Sequence, residues 1–245
     1  MRSKRKKPKP KKPLPPRPPD DPSMDPAGAQ SRTRAPAVLL EDHSSTAKII
    51  CIFGRRGTGK TTLAHKLIAG KRRILVFDPL GQFKGEKEFR TIKELALYCL
   101  DSGLREKGKP FALVYRPIRA RAEFPFIARI ACEIGALTLL AEEISWAISP
   151  AKMDAGVENL IRYGRHQDVE LIGISRRPAE VNRDLTANAN EIYIFRTHEP
   201  RDIAYFREIL GSSVADSLPS LAKFTPFVWS DDVQEKPHIS HGKVE

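Results

Sequence analysis

The run Ile49-Ile50-Cys51-Ile52-Phe53-Gly54-Arg55-Arg56-Gly57-Thr58-Gly59-Lys60-Thr61-Thr62 constrains this chain more than any other stretch, because an apolar segment breaks into glycines and restarts with helical spacing. Positions 54–61 read G-x-x-x-x-G-K-T, the pattern of a phosphate-binding loop, in the strand-then-helix context that pattern requires. Gly54, Gly57 and Gly59 permit positive φ, so the backbone of Arg55, Arg56 and Thr58 can close on a phosphate and point N–H groups at its oxygens. The helix opening near Lys60, Thr61 and Thr62 adds its positive end. Lys60 is then expected to reach the β- and γ-phosphates of ATP, and the Thr61 hydroxyl to ligate the bridging Mg²⁺.

Around this loop, apolar strand-like runs alternate with helical spacings. The strand over 47–53 is followed by a helix at 61–69 that Gly70 can end. Arg73–Phe77 is a short strand closed by Asp78-Pro79, then come a helix at 92–100 and a strand at 111–115. Helical spacing over 125–134 leads into Ala136–Ala141, apolar on both faces as a strand between two helical layers should be. A helix at 156–163, a strand at 169–174, a short turn or helix, a strand at 192–195 and a helix at 201–210 follow. Residues 224–229 fit a last edge strand, weakened by Pro226. Such alternation implies an α/β fold with a mostly parallel central sheet in three layers and right-handed crossovers. Ligands in such sheets sit beyond the carboxyl ends of the strands, where the loop at 54–60 lies.

The formal charge of +12 is unevenly spread. Residues 1–36 hold eleven Lys and Arg, three Asp and ten of the twenty prolines, while the rest of the chain is nearly balanced. That stretch has too few apolar residues to fold and too many prolines for a helix, so a disordered arm of polyproline II character is expected. It reads either as an electrostatic arm for phosphate backbones or anionic surfaces, or as a solubilising or nuclear-localisation-like tail. The division is then an arm at 1–36, one domain at 37–230, and a flexible tail at 231–245. No apolar h-region follows the basic start, and no apolar run approaches a membrane span, so a soluble cytoplasmic protein without a signal peptide or integral membrane segment is expected. Cys51, Cys99 and Cys132 lack C-x-x-C spacing, which argues for a reducing compartment and against zinc.

Hydrolysis of ATP also needs a metal-side acid and a group to orient water. Glu142-Glu143, directly after the most apolar strand, answers both: Glu142 toward Mg²⁺ and Glu143 as the catalytic residue that polarises water. The alternative is a solvated acidic pair opening the next helix. Arg162, Arg165, Arg176 and Arg177 flank the strand at 169–174. An arginine at such a rim can reach a neighbouring subunit's site, and Ser175 or Arg176 can contact the γ-phosphate; solvated surface arginines are the competing reading.

GRRGTGKTT after a strand, VFDP on the second strand, LLAEE, then RYGRHQDVELIGISRRPAEV and EIYIFR together resemble the HerA/FtsK superfamily of P-loop ATPases over residues 47–210. The likeness is strongest to genome-packaging ATPases of tailless viruses and to zonular-occludens-toxin-like phage assembly proteins. The resemblance implies a three-layer RecA-like P-loop NTPase, ATP with Mg²⁺, and a homo-oligomeric ring, usually a hexamer. It further implies movement of double-stranded DNA through that ring, with capsid or portal proteins as further partners and a host cytoplasm or virion as the place of action. By motif, Lys60 and Thr61 match the phosphate loop, Glu142 the metal-side acid, Glu143 the catalytic glutamate and Arg165 an arginine acting across subunits. Two positions depart from the family: Glu142 stands where Asp is usual, and Arg176 where a sensor Gln is common. The competing functions are a toxin-like assembly ATPase and a nucleotide-binding module that does not hydrolyse.

Overall fold

The apolar run ahead of the glycines forms strand β1 (Ile49–Phe53), and the helical spacing after them forms α1 (Lys60–Ile68). The computed structural model describes residues 45–151 and 153–232; the basic arm at 1–36 and everything from 233 onward lie outside the described residues. The other elements, in order, are β2 (Arg73–Phe77), β3 (Lys87–Phe89), α2 (Ile92–Asp101), β4 (Phe111–Tyr115), α3 (Ala120–Ile134) and β5 (Leu137–Ala141). Then come α4 (Ala155–Tyr163), β6 (Val169–Ser175), α5 (Arg183–Ala187), β7 (Glu191–Ile194), α6 (Pro200–Leu210), α7 (Ser212–Ser217) and β8 (Phe227–Ser230).

The eight strands form one sheet in the order β3-β4-β2-β5-β6-β1-β7-β8. Neighbours run parallel except β7 and β8, which pair antiparallel at one edge. Alternate side chains divide between two faces. Cys51, Phe53, Leu75, Phe77, Leu139 and Leu171 join a core with buried residues of α2 through α7. Ile50, Ile52, Val76, Leu140, Ile172 and Ile174 join a second core, which α1 covers with Leu63, Ala64, Leu67 and Ile68. All five residues of β5 are buried, and each large aliphatic side chain so placed contributes about 1.5–3 kcal/mol relative to exposure. The expected α/β, three-layer, mostly parallel architecture is thus present, with one helical layer much thinner than the other.

Local differences from the sequence expectation have physical causes. β5 starts at Leu137 because Gly135 and Ala136 take positive φ values of 66° and 46°. α3 starts at Ala120, with Pro125 inside it, because the Glu123 carboxylate accepts the N–H groups of Ile118 and Arg119 and so closes an earlier first turn. β8 begins only after Pro226. β3, with Phe89 as its one apolar residue, and the polar α7 carry no periodic signal, and neither was expected.

Candidate active site

β1 delivers Gly54 to the carboxyl edge of the sheet, with β6 beside it in a register that pairs Phe53 with Ser175. Gly54 has φ 154°, and a Cβ there would lie 2.6 Å from the Phe195 Cβ, so the loop's first position has room only for hydrogen. At the other end of the loop Gly59 (φ 107°) caps α1 without a side-chain bond, and the first turn of α1 holds no acidic residue. The leading N–H groups and the positive end of that helix are therefore free of a built-in anion. The Thr58 hydroxyl donates to the Arg55 carbonyl at 2.7 Å, which braces the loop.

A cleft of about 320 Å³ lies on the β5 side of this loop and is lined by Arg56, Gly57, Lys60, Thr61, Gln82, Glu142, Glu143 and Arg176, among others. The structure therefore brings together both acids, the lysine, the threonine and one of the flanking arginines. Lys60 is buried, and its ammonium donates to the Arg55 carbonyl at 3.1 Å. Burial lowers its pKa, against the opposing pull of Glu143 and Glu142. The Thr61 hydroxyl donates to Gln82 Oε1 at 2.9 Å, which leaves its lone pairs free toward the cleft.

In an extended strand adjacent side chains point to opposite faces, so Glu142 and Glu143 should diverge. They do not, because Glu143 takes a left-handed conformation (φ 48°, ψ 49°) at the head of a 3₁₀ turn, Ile144–Trp146. That conformation costs a non-glycine residue about 1–2 kcal/mol, and here both carboxylates line one cleft. Both are buried. Glu142 Oε2 is sealed from solvent and has no hydrogen-bond partner among the described residues. Burial, then the charge of Glu143, push the Glu142 carboxyl up to about 7. Glu143 Oε1 accepts from Arg176 Nε at 2.5 Å.

An unpartnered buried carboxylate oxygen and a hydroxyl with free lone pairs on one cleft suit a hard divalent cation such as Mg²⁺. Among the described residues no group of three or more His, Cys, Asp or Glu could hold a metal by itself. Such an ion would take its remaining ligands from phosphate and water, as Mg²⁺ commonly does.

Other expected residues fall elsewhere. Thr62 is exposed on α1, and Arg55 lines outer clefts with Thr58, Arg196, His198, Lys223 and Phe224. Ser175 is buried and exchanges hydrogen bonds with the backbone of Arg177, so Arg176, not Ser175, faces the cleft. Arg177 pairs with Glu199 and the buried Asp202. Arg162 and Arg165 precede β6 and so lie at the opposite, amino edge of the sheet, about 20 Å from the cleft by strand rise. Within one chain Arg165 does not meet the site.

Two residues that sequence reasoning left without a role belong here. Buried Asp78, at the carboxyl end of β2, accepts from the N–H groups of Gln82 and Phe83 and from Arg116 Nη1 at 2.7 Å. It thereby holds the turn that sets Gln82 on Thr61. Asp78 was legible, since it ends a strand as Glu142 does; Gln82 sits in a turn with no periodic signal.

No protein-family model matches the chain, and no curated protein matches it in sequence. Solved structures do. The genome packaging NTPase B204 from Sulfolobus turreted icosahedral virus 2, in complex with AMP, superposes with a TM-score of 0.65 at 16% identity, over 78% of this chain and 97% of that one. B204, the DNA-packaging ATPase from Sulfolobus turreted icosahedral virus, gives a TM-score of 0.58 at 17% identity, over 78% and 98%. VirB4 of Thermoanaerobacter pseudethanolicus gives 0.58 at 13% identity, over 81% and 90%. At such identities the likeness is one of fold, and the chain has the RecA-like P-loop ATPase fold that the HerA/FtsK resemblance implied.

Proposed function

We propose that this protein is an Mg²⁺-dependent ATPase that moves double-stranded DNA, working as a genome-packaging motor in an oligomeric ring. The observation that carries the reading is the cleft in which Lys60, Thr61, Glu143 and Glu142, with Oε2 unpartnered among the described residues, meet beside an uncapped helix start. The fold shared with the B204 packaging NTPases, one of them solved with AMP, supports the nucleotide and the class of work.

In this reading the loop N–H groups and Lys60 bind the β- and γ-phosphates. Thr61 and Glu142 hold the Mg²⁺, which when bound neutralises charge on the phosphates. Glu143 accepts a proton from water as the water oxygen bonds to the γ-phosphorus. The bond from that phosphorus to the β–γ bridging oxygen breaks, which yields ADP and orthophosphate. Arg165 of a neighbouring subunit completes the site in the ring, since its own chain holds it at the other edge of the sheet.

Steady-state ATP hydrolysis by the full chain, with and without duplex DNA, tests the proposal. Duplex DNA should raise turnover, and Lys60→Ala should abolish it. Turnover indifferent to DNA removes the motor, and nucleotide binding with no turnover leaves a binding module.

A further inference from the structure

Arg176, like Arg56, lines both the cleft of the two glutamates and the adjoining outer cleft of Arg55, Arg177, His198, Glu199 and Asp202, and of the two it is Arg176 that bonds a glutamate. Its Nε donates to Glu143 Oε1, so the water-activating carboxylate of the proposed reaction is engaged by a cation. The two partners are unequal: the Glu143 side chain is 5% exposed and that of Arg176 is 45%. Glu143 is fixed by its left-handed backbone and its burial, whereas Arg176 has solvent around its head and can turn. Only the arginine of this pair is half in solvent, and a guanidinium so placed prefers a doubly charged phosphate that it can grip with two N–H groups at once.

We propose that Arg176 is the residue that distinguishes ATP from ADP, and that it does so by exchanging Glu143 for the γ-phosphate. With ADP the guanidinium stays on Glu143, and the carboxylate is not available to take a proton from water. With ATP the γ-phosphate draws the guanidinium away, and the same movement that reads the third phosphate frees Glu143. The step that admits hydrolysis is thus a competition between two anions for one arginine, and needs no movement of the sheet. This rests on the nucleotide reading of the cleft given above.

Titration calorimetry with ADP and with the non-hydrolysable β,γ-methylene analogue of ATP, each with Mg²⁺, tests it on the full chain and three variants. Glu143→Gln removes the competing charge, so affinity for the analogue should rise roughly fivefold while that for ADP stays within about twofold. Arg176→Ala should lose the preference for the analogue. In the double variant the gain from Glu143→Gln should vanish, because no arginine is left to release. If instead the gain persists or grows without Arg176, simple repulsion between Glu143 and phosphate accounts for it and the exchange is overturned. An unchanged ratio of the two affinities in Arg176→Ala overturns it also. ADP binding by each variant reports an intact loop, and a wild-type chain that binds neither nucleotide overturns the nucleotide reading and this one with it.

Discussion

Glu142 is under electrostatic tension: one oxygen is sealed and unpartnered among the described residues, and its carboxyl is raised from the usual 4.5 to about 7 by burial and by Glu143. A carboxyl that holds its proton more tightly folded than unfolded lowers stability as pH rises. The loss sets in near pH 4.5, grows through the window to about 7, and is complete above it. Denaturant unfolding at pH 5 and pH 8 should therefore show Glu142→Gln gaining about 1–3 kcal/mol on the wild type between the two, at the cost of Mg²⁺-dependent nucleotide binding. An equal difference at both pH values contradicts this. The Lys60, Thr61 and Glu142 positions were legible because each follows from where a strand ends or a glycine falls. The convergence of Glu142 and Glu143 was not, since it depends on one left-handed backbone that adjacency in an extended strand argues against.

At the scale of elements, the turn from Asp78 to Phe83 is held by polar contacts at Asp78 and by the Phe83 ring buried in the second core. Asp78 receives two backbone N–H groups and Arg116, and Arg116 also donates to the Phe83 carbonyl and to Glu88. Asp78→Ala would leave Arg116 partly unpaired and two N–H groups without an acceptor, at a cost of about 2–4 kcal/mol in chemical unfolding. Gln82→Ala removes only an exposed contact to Thr61, so its stability should stay within about 0.5 kcal/mol while the Mg²⁺ needed for half-maximal nucleotide binding rises severalfold. Equal stability losses in the two variants would contradict this division. Apart from β3, the strands were readable because each is largely an apolar run between turn residues. Arg73 shows what such reading omits: the first residue of β2 is buried, and its guanidinium donates to the carbonyls of Leu104, Glu106, Lys109, Gly135 and Ala136. A charge buried among backbone oxygens drawn from two loops has no sequence signature.

For the whole molecule, the sheet separates the candidate residues by edge. The carboxyl edge gathers the phosphate loop, the two glutamates, Gln82 and Arg176, while the amino edge carries Arg162 and Arg165. A ring in which one subunit's amino edge faces the next subunit's cleft uses both edges at once, and this is the arrangement the proposed motor requires. In the proposed motor the basic residues at 1–36 would add a salt-dependent hold on DNA. All of this rests on the cleft's carrying out the reaction its residues suit, with Glu143 as the group that takes the proton. The direct measurement is single-turnover hydrolysis of radiolabelled ATP by the wild type and by Glu143→Gln at matched occupancy of bound nucleotide. The wild type should convert its bound ATP to ADP and orthophosphate, and Glu143→Gln should hold ATP as well or better while hydrolysing it about 10²- to 10⁴-fold more slowly. Hydrolysis by Glu143→Gln within a few fold of the wild type contradicts the account.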